Sequence, residues 1–364
     1  MLFDFSELKS IHVELTTRCQ ASCPMCARNY RGGLVNPNLP MGDITCDDFK
    51  RIFTSEVLNQ IEHIYFCGNF GDPILSNHLL PIVEYCKILN PEISLGIHTN
   101  GSARDKKWWR ELSKVVPKNH CVHFALDGLE DTHHLYRVGT SFEKIIDNAN
   151  EFIAGGGKAE WVFLSFKHNE HQTEQARDKA KELGFAYFNL KSTVRFLEKP
   201  WIDVLDTNGD ITHRIEPPTE HRISFVRPEV IKEYKKITES AVVDCKIKKD
   251  KSLYIDAFKK LWPCCWIGAI PYSYTRETEL SYQYYNSQKQ VLEELIESIG
   301  GIDVIDLNKT SIKDILKNEN WQNTWDKHWE EKKLATCAKI CGNFDQKVLA
   351  KPSEQFIKKE MLNG

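Results

Sequence analysis

Three cysteines crowd into eight residues of the chain, in Glu14-Leu-Thr-Thr-Arg-Cys19-Gln-Ala-Ser-Cys23-Pro-Met-Cys26. Three thiolates can hold three irons of a cubane cluster and leave the fourth iron open to a chelating ligand. A structural zinc site instead uses four ligands, usually in pairs, and no fourth ligand lies nearby in the sequence. Five more thiols, Cys245, Cys264, Cys265, Cys337 and Cys341, fall late in the chain. Four of these are enough to close the coordination of a second centre, and spacing alone does not separate zinc from iron-sulfur there. The remaining Cys46, Cys67, Cys86 and Cys121 are scattered and read as small buried apolar residues.

These groups need elements to position them. From Ile11 to about Phe196, short apolar runs alternate with amphipathic stretches, as repeated strand-helix units do. The pattern predicts strands at Ile11-Leu15, His63-Cys67, Ser94-His98, Cys121-Leu126, Trp161-Phe166 and Tyr187-Leu190. Helices are predicted between them, at Asp47-Gln60, Leu79-Leu89, Asp105-Val115, Phe142-Ala154 and Glu170-Leu183. Six such repeats with right-handed crossovers favour a parallel α/β sheet, open or curled into a partial barrel. Active residues then lie just after the strands, where the first cysteines, Gly68-Pro73, Thr99-Gly101 and Asp127-Gly128 all stand.

After Pro200, prolines and Asp206-Thr-Asn-Gly-Asp210 mark irregular chain, and a region from Val242 to Phe344 begins and ends near cysteines, with a helix-like Lys309-Glu331 inside it. Metal ligands at both ends would staple such a segment. The composition, 41% hydrophobic and 27% charged, belongs to a folded globular chain, and the net charge of -3 gives no global attraction to nucleic acid or an anionic membrane. Met1-Lys9 lacks the basic-then-apolar order of a signal peptide, and no apolar run spans a bilayer, so a cytoplasmic protein is expected. Its twelve cysteines then point to metal ligation, because cytoplasmic thiols are kept reduced.

The first triad and the turns after it resemble the radical S-adenosylmethionine (SAM) superfamily, whose signature places two cysteines four apart and a third three further on. The resemblance implies an α/β partial (β/α)6 TIM-like barrel followed by a small iron-sulfur-stapled α+β domain. It also implies a 4Fe-4S cluster on Cys19, Cys23 and Cys26 with SAM on the open iron. One electron then cleaves SAM to a 5'-deoxyadenosyl radical that abstracts hydrogen from the substrate. Cofactor contacts are implied at Met25, where members usually carry an aromatic residue, and at Gly68, Asn69, Gly71 and Asp72 of the Gly-rich stretch. Asn100, Asp127 and Arg137 complete the implied set, with Ala125 standing where relatives often have serine. A guanidinium at Arg137 suits the SAM carboxylate.

The late thiols resemble SPASM and twitch domains, including the turn Trp262-Pro-Cys-Cys265. Two departures stand out: Lys259 replaces a family glycine, and Cys337 and Cys341 are spaced by three residues rather than two. One second 4Fe-4S cluster on Cys245, Cys264, Cys337 and Cys341 is implied, with Cys265 spare as a buried thiol, substitute ligand or hydrogen-atom donor, and zinc at the same four as the rival. The expected division is a radical SAM barrel over 1–199, a bridge over 200–241, a SPASM/twitch-like domain over 242–345 and a helix or tail over 346–364.

The resemblance favours a peptide or protein side chain as substrate. Alternatives are a small sugar alcohol-like molecule, an RNA, or, in another class, a non-catalytic iron-sulfur or zinc scaffold. An electron donor such as flavodoxin or ferredoxin is implied. About ten residues precede the first strand, so a peptide would need a separate recognition protein or the bridge. Four other features take simpler readings. Trp321, Trp325 and Trp329 form one packed helix face, and Asp206, Asn208 and Asp210 a turn rather than a calcium loop. Lys246-Lys251 reads as a solvated run. His168 and His171 either face the active site or start a helix.

Overall fold

The computed structural model describes residues 2–116, 120–193, 195–196, 201–220, 240–275, 279–331, 334–343 and 356–362. Much of the expected bridge and of the expected tail lies outside the described residues.

Six strands, β1 (Ser10–Val13), β2 (His63–Phe66), β3 (Ser94–Thr99), β4 (Cys121–Ala125), β5 (Lys158–Leu164) and β6 (Tyr187–Lys191), lie side by side in chain order, all parallel. Helices Leu79–Leu89, Lys106–Val115, Phe142–Ala154 and Thr173–Glu182 supply crossovers. The helix predicted over Asp47-Gln60 is two, Cys46–Ile52 and Ser55–Gln60. Thr45 and Thr54 accept from the backbone at the start of each, so a second cap restarts the helix where the sequence pattern alone runs through.

Each strand presents apolar residues to the helices. Ile11, Val13, Ile64, Phe66, Leu95, Ile97, Val122, Phe124, Trp161 and Phe163 are all nearly fully buried. The other face carries His12, Tyr65, His98, His123 and Glu160, with His12 in register with Tyr65, and His98, His123 and Glu160 in register with one another. Buried parallel strands ordinarily read as continuous apolar runs. The alternation here records an inner face built for polar work.

The late region extends this same sheet. β9 (Ser252–Ile255) runs parallel to β1 on its free side, and β10 (Leu261–Trp262) pairs antiparallel with β9 at the edge. Between β6 and β9, strands β7 (Ile202–Leu205) and β8 (Ile211–Ile215) form a separate antiparallel hairpin. At the far edge, β11 (Phe356–Met361) pairs antiparallel with β6, so a strand stands where a charged helix or tail was expected. The sheet of nine strands stays open rather than closing on itself.

One hydrophobic core runs from Leu2 through the sheet to Cys337. Trp321 and Trp325 are fully buried on helix Glu319–Glu331, so the tryptophan face is packing, and this helix lies against Glu279–Ile299, which the sequence pattern did not reveal. The helix-like Lys309-Glu331 divides into Ile312–Lys317 and Glu319–Glu331. Gln322 ties that layer to the N-terminus, donating to the carbonyl of Phe3 at 3.0 Å. Asp206 accepts from the backbone of Asn208 and Asp210 at 2.9 Å each, which makes 206–210 a turn. Lys248, Lys249 and Lys251 each find an acidic partner, Asp326, Asp244 and Glu7. No helix among the described residues is long and apolar enough to cross a membrane.

Candidate active site

The loop bearing Cys19, Cys23 and Cys26 leaves the C-terminal end of β1, the end at which parallel α/β sheets gather their chemistry. Cys26 N–H bonds to the Cys23 carbonyl at 3.0 Å, and the three thiols lie close enough to repel one another's charge. Burial pushes the Cys19 thiol well up and Cys23 up to about 11, with Arg137 opposing the shift at Cys23. Thiols so placed bind as thiolates only when a cation compensates their charge, so the donor set fits a metal centre that releases protons on assembly.

Two buried carboxylates set the frame. Asp72 accepts the Asn100 N–H at 2.7 Å, while its own N–H donates to the Arg18 carbonyl at 2.8 Å. It therefore fastens the turn after β3 to the cysteine loop. Asn100 Nδ2 reaches Cys19 Sγ at 3.6 Å, and its Oδ1 accepts from Gln20 at 2.7 Å. Asp127, fully buried, accepts from Arg137 Nε at 2.5 Å and from the Leu164 N–H at 2.7 Å. Arg137 Nη1 then lies 3.8 Å from Cys23 Sγ. Burial raises the Asp127 carboxyl and Arg137 opposes that rise.

The glycines of Gly68-Pro73 are required by chain packing. A Cβ on Gly71 would fall 1.8 Å from the Thr16 carbonyl oxygen, and one on Gly68 would fall 2.0 Å from that of Gly71. Asn69 turns away from the first cysteines and donates to Tyr254 Oη at 3.2 Å and to the Cys265 carbonyl at 2.9 Å. Met25 packs with Cys19, Cys26 and Leu135 on a small cluster of Ala21, Cys23, Tyr136, Phe166, Phe196, Val204 and Ile215, to which the β7–β8 hairpin contributes. His168 stacks on Phe166 at 5.4 Å beside this cluster, while His171 sits in the short helical turn Glu170–Gln172.

Glu14 is the residue whose role the sequence reading missed. Its Oε1 accepts the N–H groups of Phe70 and Gly71 at 2.8 and 2.9 Å, and its Oε2 accepts from Tyr254 at 2.5 Å. A carboxylate directly after a strand, just before the cysteines, was the available signal. Burial raises it from 4.5 to about 7 against these donors. The folded state thus holds the proton more tightly than the unfolded chain, and the cost of burying the charge develops as pH rises from 4.5 to 7. Glu14→Gln, which can still accept both amides, should gain on the parent over that window by roughly 3 kcal/mol. Denaturant midpoints of the two proteins compared at pH 5 and pH 8 check this.

The late thiols form a second group. Cys245, Cys264, Cys337 and Cys341, drawn from three separate segments, line one hollow with Pro263, Trp266, Ile267, Trp329, Thr336 and Ile340. The hydrogen bond it shares with Cys245 holds the Cys341 thiol down, while burial pushes Cys264 up to about 11. Cys265 lies outside this lining and is affected by Cys67 and Glu14 as well as Cys264. Four convergent sulfur donors suit either iron-sulfur or zinc. Of the scattered cysteines, Cys86 is fully buried among apolar residues as expected. Cys121 differs: it stands beside His123 and Glu160 on the inner face.

Residues 13–186 match the family model described as the Radical SAM superfamily. Over 133 residues the chain is 26% identical to the tungsten-containing aldehyde ferredoxin oxidoreductase cofactor-modifying protein of Pyrococcus furiosus. That match takes in 36% of this chain and 34% of the relative, about a third of its length. Among solved structures, a histidine-tagged anSMEcpe with bound AdoMet is similar in fold, with a TM-score of 0.51 at 14% identity over 96% of this chain and 89% of that one. Streptococcus suis SuiB bound to S-adenosylmethionine has a TM-score of 0.48 at 14% identity, over 71% of this chain and 61% of its own length.

Proposed function

Residues 13–186 are a radical SAM superfamily domain, and on that premise we propose that this chain is an enzyme abstracting hydrogen from a peptide or protein side chain. The observation that carries the reading is the meeting of three thiols with the Asp72–Asn100 and Asp127–Arg137 pairs at one end of the parallel sheet. Cys19, Cys23 and Cys26 would hold a 4Fe-4S cluster. With SAM, such a cluster supplies a hydrogen-abstracting 5'-deoxyadenosyl radical.

The chain's own residues do the positioning. Asp72 locks the Gly-rich loop against the Asn100 turn, and Glu14 pins the same loop from below through Phe70 and Gly71. Arg137, already oriented by Asp127, keeps guanidinium donors for a carboxylate ligand. Met25 and the β7–β8 hairpin pack apolar surface beside the thiols, of which Cys23 is buried and Cys19 and Cys26 are half-buried. The hollow of Cys245, Cys264, Cys337 and Cys341 would hold a second cluster in a SPASM/twitch-like region, which is what favours a peptide substrate. A second reading, a hydroxylated small molecule, draws support from the polar inner face of His12, Tyr65, His98 and His123.

Anaerobic reconstitution tests the reading. Reduced protein with SAM should release 5'-deoxyadenosine and bind about eight irons per chain, two clusters of four. No release from protein with a fully assembled first cluster would sink the enzyme assignment, and about four irons per chain would remove the second cluster. Incorporation of deuterium from labelled peptide or labelled polyol into 5'-deoxyadenosine separates the two substrate classes.

A further inference from the structure

We propose that Cys121, His123 and Glu160 form a binding site for a divalent metal ion of the zinc class, separate from both cysteine groups. Strand geometry brings the three together. Cys121 and His123 are two apart on β4 and so share the inner face, and Glu160 on β5 is in register with His123. Their donor atoms all lie within 4.8 Å of one another. With metal–ligand bonds of about 2.0–2.3 Å, a tetrahedral site needs its donors roughly 3.5 Å apart, an inward shift of about 1 Å that rotamer adjustment supplies.

The chemistry of the donors agrees. A thiol, an imidazole and a carboxylate are the ligand types zinc favours, and three protein ligands leave a fourth position open. His123 Nδ1 is buried without a hydrogen-bond partner, 3.2 Å from Glu160 Oε2 but out of line for a hydrogen bond. The His98 ring stacks on it at 3.9 Å and fixes its plane. Asn189 Nδ2 holds Glu160 Oε1 at 2.7 Å, the outer support that metal-binding carboxylates use.

A cation already sits on one of the three donors. The Lys359 ammonium, from β11, sits on Glu160 Oε2. Its side chain is 45% exposed and can swing into water. A divalent ion taking its place is neutralised by one thiolate and one carboxylate, so the swap leaves no net buried charge. The site is also distinct in place. Cys121 opens β4 and His123 lies within it, whereas Asp127 follows its other end; four to six extended residues, about 13–20 Å, separate the two ligands from Asp127.

The test uses the full chain with its iron-sulfur sites assembled, cleared of loose metal with a mild chelator and dialysed against zinc. It should retain about one zinc per chain, with sulfur among lighter ligands at the zinc absorption edge. Cys121→Ser and Glu160→Gln should each weaken zinc binding at least about tenfold at unchanged iron content, which also reports that the variants fold. Lys359→Met should tighten it, since the competing ammonium is gone. Zinc indifferent to Cys121→Ser and Glu160→Gln, zinc lost only with Cys337→Ala, or weaker binding in Lys359→Met would each overturn the proposal.

Discussion

Replacing Cys19, Cys23 and Cys26 together by alanine abolishes 5'-deoxyadenosine release and removes about half the iron, leaving about four per chain at the late site. The expected fall in rate reaches the detection limit, because the substitution removes every sulfur donor of the first loop. Independence of the two groups is the stricter part of this expectation. The late thiols line their own hollow, shared with Trp329 and Ile340, and none of its lining residues belongs to the first loop. Iron and sulfide counts with electron paramagnetic resonance read the outcome. Loss of both iron populations together would mean that the two groups assemble as one.

Arg137→Ala carries the second large effect. It strips the cation from Asp127, a carboxylate with no solvent exposure, and an uncompensated buried charge costs about 3–5 kcal/mol. The double variant Asp127→Asn with Arg137→Met should recover most of that stability, since no charge then remains to be desolvated. SAM affinity, measured by calorimetry on cluster-loaded protein, should fall at least tenfold in both variants, corresponding to about 1.4 kcal/mol. Stability returning without affinity separates a ligand-binding guanidinium from a merely structural one; affinity returning with stability would refute the ligand role.

Local signals made the central sheet readable. Each of the six strands carries apolar residues facing helices, the first four end in a recognisable turn or cysteine motif, and the helices Leu79–Leu89 and Phe142–Ala154 begin and end where the pattern predicts. What failed was long-range. The sequence around Ser252 is a short apolar run like many others, and nothing local says that it pairs with Ser10. The final strand was missed because Phe356–Met361 groups its apolar and charged residues in blocks without a period of two, and its partner, β6, lies far upstream.

Site residues followed the same division. The thiol spacing was legible as chemistry, and the turns holding Asn100 and Asp127 were legible as strand ends. Glu14, Gln20 and Tyr254 act through bonds to distant backbone or side chains, which no spacing rule encodes. Cys121 looked like one more buried thiol until its own strand turned an imidazole to the same face and the neighbouring strand placed a carboxylate beside it.

The position of β1 between β2 and β9 has a consequence for how the protein is made. Its partner β9 is encoded some 240 residues later. As the nascent chain leaves the ribosome, β1 has an open flank until the segment bearing β9 emerges, and contacts of such separation make folding slow and expose strand edges. The first cysteine loop is therefore synthesised well before the strand that walls it in on its second side. Delivery of metal to it and completion of the sheet become events that compete in time, and a chaperone or an iron-sulfur donor acting on the growing chain would meet β1 with one edge bare.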